Sequence, residues 1–353
     1  MRGKIIHNVQ LLRFAAATGV ALSHAADLLI PYDAATRWFW SVPWTAGVDL
    51  FFVISGFIMV WLMDRRFGSP GAATAFLKRR VIRIVPAYWF FTTLTIAVLL
   101  VLGGEASGPA TDPRQIATSF GFVPWPRGDG KLNPVMAHGW TLNYEAFFYL
   151  SFALALTLRR GLALLCVAFL LLVLVHPVVP ERLFLLKFLS SPIILQFLGG
   201  IALAKLYLAG RRLPLWGSFA CVALAVIVTM ATASLDLGLL GRAAHSGIPA
   251  LLVAAALILA PEPERLSPAR RFAQLGGDAS YTIYLAHYLI IHAVVLMWKA
   301  AGIAVPWLGV AVSLAVAIAA SILVYRFLER PVTEYLQRRF VTHRVPGVET
   351  VAP

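Results

Sequence analysis

Two polar residues in the first apolar stretch of the chain have types and a spacing that would let them act together in a catalytic site. Arg13 and His24 are eleven residues apart. Eleven helical steps make about three turns, so both side chains are expected on one helix face, about 16 Å apart along the axis. The arginine is a fixed cation, and an imidazole exchanges protons near neutral pH. The structural alternative is that Arg13 snorkels to one interface and His24 bonds a neighbour at the other.

Two carboxylates stand near the start of later apolar stretches and are candidate partners for that imidazole. Asp49 follows Gly47-Val48, and Glu145 follows Asn143-Tyr144. A carboxylate bonded to an imidazole fixes its tautomer, and such a base can take the proton from a hydroxyl that attacks a thioester. We therefore expect both carboxylates close to His24. The alternative is a set of interfacial acids bonded to Trp, Tyr and water.

A basic cluster precedes the third apolar stretch. It contains Lys78, Arg80 and Arg83, and the two arginines are three residues apart, so they share a helix face. Guanidinium groups bind phosphate oxygens, and coenzyme A carries a pyrophosphate and a ribose phosphate. The alternative is an ordinary group of positive charges at the cytoplasmic end of a span. His287, inside the ninth apolar stretch, either lines the passage between donor and acceptor or bonds a neighbouring helix.

Composition defines the environment in which these residues must be positioned. Of 353 residues 60% are hydrophobic and 13% charged, and the mean hydropathy is +0.80, so polar side chains are too few to cover a soluble globule. The fold class predicted is an all-α polytopic integral membrane protein whose partner is the lipid bilayer. The net charge of +14 resides in short clusters between apolar runs, which does not favour nucleic-acid binding. The two cysteines have no metal-type spacing and the sequence contains no His-Glu-x-x-His motif, so no metal site is predicted.

Ten apolar stretches are long enough to predict transmembrane helices. If the N-terminus is inside, 21 of the 30 Lys and Arg fall on the cytoplasmic side, so both termini are expected to be cytoplasmic. One transmembrane domain is predicted over 1–340, followed by a disordered cytoplasmic tail over 341–353. A cleaved signal peptide ending near His24 is the alternative at the N-terminus. The predicted spans are 8–28, 44–63, 84–103, 142–158, 161–177, 190–209, 214–233, 243–260, 279–299 and 306–327.

The longest predicted connection, roughly 104–141, lies on the outer side in this topology. It is rich in Gly, Pro and polar residues, with Trp125 near its middle and Trp140 at its end. Long loops over a membrane face are often functional. We expect Trp125, Trp140 and the neighbouring Tyr144 to contact a substrate there, with His287 lining its passage.

Several motifs occur in a fixed order along nearly the whole chain. They are Arg13 with His24, residues 47–57 from Gly47-Val48-Asp49 to Gly56-Phe57, Arg80-Val81-Ile82-Arg83, Gly139-Trp140-Thr141-Leu142-Asn143-Tyr144-Glu145, Ser280-Tyr281 through His287, and Glu329-Arg330-Pro331. In this set the chain resembles the membrane acyltransferase family 3, and within it the exopolysaccharide O-acetyltransferases.

That resemblance implies an enzyme of the bacterial inner membrane. Such an enzyme moves an acyl group, usually acetyl, from cytoplasmic acyl-CoA to a hydroxyl on a carbohydrate or lipid-linked glycan. By matched position, His24 is then the expected base, with Asp49 and Glu145 as site carboxylates. Arg13 and the Arg80/Arg83 pair, with Lys78 beside them, are the expected contacts of acetyl-CoA.

Two other classes of function remain open from the sequence. A transporter or flippase of a glycan or lipid-linked precursor would also hold polar residues inside the membrane, but it predicts repeats that the chain does not clearly show. A scaffold of a polysaccharide assembly complex is the third possibility. Loss of acetyl groups with retention of polymer separates the enzyme from both.

Overall fold

Helices account for all the regular secondary structure of the described residues. A computed structural model describes residues 6–103, 108–128, 130–233, 235–263 and 265–341, and this part of the chain contains no strand, as the composition predicts. Its α-helices are α1 (His7–Leu29), α2 (Arg37–Trp40), α3 (Gly47–Met63), α4 (Ala72–Leu102), α5 (Gly108–Thr111), α6 (Pro113–Phe120), α7 (Trp140–Leu156), α8 (Gly161–Val175), α9 (Phe184–Leu189), α10 (Leu195–Leu208), α11 (Leu215–Thr232), α12 (Ile248–Ile258), α13 (Pro268–Asp278), α14 (Ser280–Ala300), α15 (Pro306–Val324) and α16 (Arg330–Phe340).

Eight helical stretches in the described part of the chain are long and apolar enough to cross a membrane. The chain is therefore a multi-pass membrane protein. All ten predicted spans fall on helices, but those at 8–28 and 142–158 fall on α1 and α7, which are not among the eight. Helix α1 carries Arg13 and His24, and α7 is only 17 residues long. The number of spans and the side of the termini remain predictions.

Local signals explain where several helices begin and end. Asp112 caps α6 by accepting the backbone N–H of Arg114, and Ser267 caps α13 by accepting that of Arg270. Gly103, with φ of 67°, ends α4 in a conformation that favours glycine. The loop predicted over 104–141 includes two short helices, α5 and α6. Of the predicted tail, residues 342–353 lie outside the described residues.

The described chain divides into two compact units, each with its own core. The first unit takes in the described residues of 1–62 and 195–330, and in it α1 packs against α13, α14 and α15. Alanines of α1 allow this close packing, since small side chains let helices approach each other. The buried core around its second half consists of Ala21, Ala25, Ala26, Ile30, Phe39, Ile291, Val295, Val310 and Ala317.

Glycines set the helix crossings within the first unit. At Gly56 a Cβ would collide with the backbone of Phe197, and at Gly200 it would collide with the backbone of Val53. Helices α3 and α10 therefore touch backbone to backbone at this crossing. A Cβ at Gly47 would likewise collide with the carbonyl oxygen of Ala16, so the start of α3 packs directly against α1.

The second unit, 63–194 with the described residues of 331–344, has an aromatic core. Helix α7 lies between α4 and α8. Phe76 of α4 meets Phe152 of α7 at 5.1 Å between ring centroids, and Phe148 meets Phe169 of α8 at 5.7 Å. These rings hold the first turns of α4, and with them the basic cluster, against α7.

Candidate functional site

His24 lies on the second half of α1 and faces a carboxylate of its own helix. Its Nδ1 is 3.6 Å from Oδ2 of Asp27, three residues further on, so the two side chains share a helix face. The His24 side chain is 28% exposed and that of Asp27 50%. Nδ1 points towards the carboxylate, which leaves Nε2 as the nitrogen that can meet a substrate.

Helix α14 brings a second group of aromatic and imidazole side chains to His24. The ring of His287 stacks on that of His24 at 5.4 Å and 26°, and Tyr288 meets His24 edge-on at 5.5 Å. Tyr288 also contacts the ring of His292 at 4.2 Å. The structure therefore places His287, as a sequence-predicted site residue, directly beside His24.

The two histidines of α14 have their tautomers fixed by the helix backbone. Nδ1 of His287 lies 3.0 Å from the carbonyl oxygen of Ile283, and Nδ1 of His292 lies 2.8 Å from that of Tyr288. A carbonyl only accepts, so each Nδ1 carries the hydrogen, and in the neutral ring Nε2 has the lone pair. His287 is fully buried and His292 half-buried.

Asp49 is bound elsewhere in the first unit. Arg242 donates to it from Nη2 at 2.9 Å and from Nε at 3.3 Å, and Nε2 of Gln196 donates at 2.8 Å. Asp49 is fully buried. The expected closeness of His24 and Asp49 remains a prediction. The structure shows that Asp49 pairs with Arg242, whereas the carboxylate paired with His24 is Asp27. The physical reason is that a buried carboxylate needs full hydrogen bonding, which a guanidinium fork supplies better than an imidazole.

Arg13 lies in the first half of α1, as its spacing from His24 predicts, and is half-buried. Its Nη1 donates to Oε1 of Gln10 at 2.9 Å, and the amide of Gln10 in turn donates to Asp278 at the end of α13. This polar network holds the cation inside the first unit. Its role in donor binding remains a prediction.

The second unit contains the remaining predicted acid and the basic cluster. Glu145 accepts a hydrogen bond from the hydroxyl of Tyr149, one turn further along α7. The guanidinium of Arg80 lies 5.4 Å from the ring centroid of Tyr149, and Nη2 of Arg83 is buried without a hydrogen-bond partner. Since Glu145 belongs to the second unit and His24 to the first, the expected closeness of the two remains a prediction.

Lys78 borders an apolar groove of the second unit. The groove has a volume of about 410 Å³ and runs between α4 and α16. Besides Lys78 its walls come from Val81, Ile82, Val85, Pro86, Trp89, Leu336 and Phe340.

The aromatic residues predicted to contact substrate pack within the second unit. Trp140 meets Tyr144 edge-on at 5.9 Å, and Trp125 meets Phe184 at 5.7 Å. The hydroxyl of Tyr144 donates to the carbonyl of Phe188 at 2.8 Å, and the two rings stack at 4.0 Å. Tyr144 thus supports the fold here. Its contact with substrate, and that of the two tryptophans, remains a prediction.

Four residues that were not predicted from the sequence lie around His24 and around Asp49. Asp27 had a local signal, its position three residues after His24. His292 also had a local signal, because it is a second histidine five residues after His287 in the same predicted span. Gln196 and Arg242 had no signal, because they join Asp49 from 147 and 193 residues away. Among the described residues no cluster of three His, Cys, Asp or Glu side chains could hold a metal.

The chain is thus a helical membrane protein in which a histidine of α1 stacks on a histidine of α14. The chain belongs to the acyltransferase 3 family: the family's acyltransferase domain model matches residues 6–326. It is therefore an acyltransferase.

Two characterised proteins are similar in sequence to this chain. One is the exopolysaccharide production protein ExoZ of Rhizobium meliloti (strain 1021), with 34% identity over 86% of this chain and 93% of ExoZ. The other is nodulation protein 10 of Rhizobium leguminosarum bv. viciae, with 32% identity over 44% of this chain and 45% of that protein. No solved structure matches the chain.

Proposed function

We propose that this acyltransferase moves an acetyl group from acetyl-CoA on the cytoplasmic side to a hydroxyl of an extracytoplasmic or lipid-linked polysaccharide in the bacterial inner membrane. Support comes from membership of the family and from the similarity to ExoZ, a protein named for exopolysaccharide production. The observation that carries the proposal is the pairing of His24 with Asp27 next to two further imidazoles.

In this mechanism Nε2 of His24 takes the proton of the acceptor hydroxyl as its oxygen attacks the thioester carbonyl. A carbon–oxygen bond forms, the carbon–sulfur bond breaks, and coenzyme A leaves as the thiolate. Asp27 holds Nδ1 and stabilises the imidazolium that forms, the role that a carboxylate has in other histidine bases. His24 then gives its proton to water and the thiolate takes one up, so the reaction balances.

In this proposal, cationic side chains hold the donor, acetyl-CoA. Arg13, Arg80, Arg83 and Lys78 are the candidates for the phosphates of acetyl-CoA, because guanidinium groups form forked hydrogen bonds with phosphate oxygens. The buried and unpartnered Nη2 of Arg83 supports this assignment, since it leaves a donor available for a ligand oxygen.

Glycan analysis of a deletion strain tests the proposal. The strain is complemented with wild type, with His24→Ala, or with His245→Ala as the matched control, since His245 bonds Thr232 away from the histidine pair. Mass spectrometry of the surface polysaccharide then measures O-acetyl content. We expect His24→Ala to abolish acetylation while polymer yield is kept, because a general base contributes 10²-fold or more. His245→Ala should restore acetylation.

Two results would contradict the proposal. Full acetylation with His24→Ala would remove His24 as the base. Loss of polymer instead of acetyl groups would indicate a flippase or a scaffold. Purified protein in liposomes with labelled acetyl-CoA gives an independent measure, because only an enzyme releases coenzyme A in proportion to acetylated acceptor.

A further inference from the structure

An exposed aromatic surface follows directly after the helix that carries His24. We propose that this surface binds the sugar rings of the acceptor polysaccharide. It consists of Tyr32, Trp38, Trp40 and Trp307, and we call it the aromatic platform. The inference rests on the proposed function and names the binding place of its acceptor. The platform belongs to the first unit, whereas Trp125 and Trp140 belong to the second.

Two of the three indoles of the platform, those of Trp38 and Trp307, are exposed, and that of Trp40 is partly buried. Trp38 is 65% exposed and stacks on Trp307 at 6.0 Å with 24° between the ring planes, and Tyr32 is even more exposed. In this stacked pair each indole turns one face towards the other, and the high exposure of Trp38 leaves its remaining surface open to a ligand. Amphipathic ligands with a flat apolar side and polar edges, such as sugar rings, suit an aromatic face of this kind.

Hydrogen bonds fix the backbone under the platform. The indole N–H of Trp40 donates to the carbonyl of Pro31 at 3.3 Å. Asp33 accepts the backbone N–H of Thr36 at 3.0 Å, and the Thr36 hydroxyl donates to Pro31 at 2.6 Å. Because the turn is held at both ends, the rings need not be ordered when a ligand binds, which lowers the cost of binding.

The platform is joined to the histidine pair through the core of the first unit. Phe39 is buried between the platform and α1, with its ring 5.3 Å from Trp307, and it packs in the same cluster as Ala25 and Ile291. These residues neighbour His24 on α1 and His292 on α14. From His24 to the end of α1 is five residues, about 8 Å, so a glycan chain on the platform would reach the base.

The competing explanation is an interfacial belt, since Trp and Tyr are enriched at both surfaces of a membrane. The chain offers a matched control for it. Trp216, at the start of α11, is 75% exposed and follows Arg211 and Arg212. A belt predicts similar effects for both tryptophans, whereas acceptor binding predicts an effect of Trp38 alone.

The experiment measures acetyl transfer by the full-length protein in liposomes. The probe is a set of oligosaccharides released from the producing strain's own surface polysaccharide and chemically deacetylated. For Trp38→Ala we expect the acceptor KM to rise about tenfold, the effect of losing one stacking contact, with KM for acetyl-CoA and kcat unchanged. Trp38→Phe should retain most of the affinity, and Trp216→Ala should leave the acceptor KM as in wild type.

An acceptor KM within twofold of wild type for Trp38→Ala would overturn the inference, as would an equal rise for Trp216→Ala. Binding is also measured without turnover, as the quench of tryptophan fluorescence by the same oligosaccharides in wild type and in Trp38→Phe. A Trp38-dependent quench with no acetyl transfer would support the platform and contradict the proposed function. Transfer without any Trp38-dependent change would contradict the platform alone.

Discussion

Two aspartates of the first unit, Asp27 and Asp49, have opposite surroundings. Asp49 is fully buried and accepts hydrogen bonds from the two ends of one guanidinium and from an amide. Asp27 has a half-exposed side chain and faces the imidazole of His24, at 3.6 Å. One carboxylate has its oxygens occupied by its partners, and the other keeps half of its surface accessible.

The difference separates a structural ion pair from a pair suited to chemistry. A carboxylate whose oxygens are occupied by Arg242 and Gln196 has little capacity left to follow a change of charge on a histidine. A half-exposed carboxylate beside an imidazole can stabilise that imidazole when it becomes charged. We therefore assign Asp49 to holding α3 in the first unit and Asp27 to positioning His24.

The largest effect that this comparison predicts is on stability. Asp49→Ala should lower the free energy of unfolding by about 2 to 3 kcal/mol, since removal of one partner of a buried pair leaves the other uncompensated. We expect a loss smaller than is usual for a fully buried ion pair, because the Arg242 side chain is 41% exposed and its charge is partly screened. Thermal unfolding in detergent measures it, with Asp27→Ala as the control that should unfold like wild type. Equal stability of the two variants would erase the distinction.

The next effect is on catalysis. Asp27→Asn should lower kcat about tenfold without changing thermal stability, because an amide cannot stabilise the His24 imidazolium. Asp27→Glu should recover part of the loss, since it restores the charge. The measurement is acetyl transfer in liposomes at saturating substrates. A variant with wild-type kcat would show that Asp27 is only a surface acid.

The smallest effect concerns His292. We expect His292→Asn to lower kcat several-fold if His292, whose ring packs on Tyr288 beside His24, relays to water the proton that His24 gives up in the proposed mechanism. The asparagine amide can still donate to the Tyr288 carbonyl, so the helix contact is kept. Added imidazole should restore part of the rate, which a structural defect would not allow. Failure of imidazole to restore it, or an unchanged kcat, would remove His292 from the proton path, and His245→Asn is the control.

Much of the fold could be predicted from the sequence, and less of the site. Helices occur at every predicted span, because apolar runs of this length must satisfy their backbone internally. The pairing of His24 with α14 was only half predicted: His287 was identified as a membrane histidine, but its stacking on His24 depends on how α1 and α14 pack. The pairing of Asp49 with Arg242 was not predicted, since a charge 193 residues away leaves no trace in local spacing.

The sequence by itself determined that this protein is helical, belongs in a membrane and carries a histidine, the proposed base, at position 24. Composition and short motifs suffice for these properties, because each depends on residues that are close in the chain. The tertiary structure alone decided that Arg242 takes Asp49, that Asp27 is left for His24, and that Trp307 completes the aromatic platform with Trp38. Those choices depend on which side chains compete for the same partner once distant helices meet.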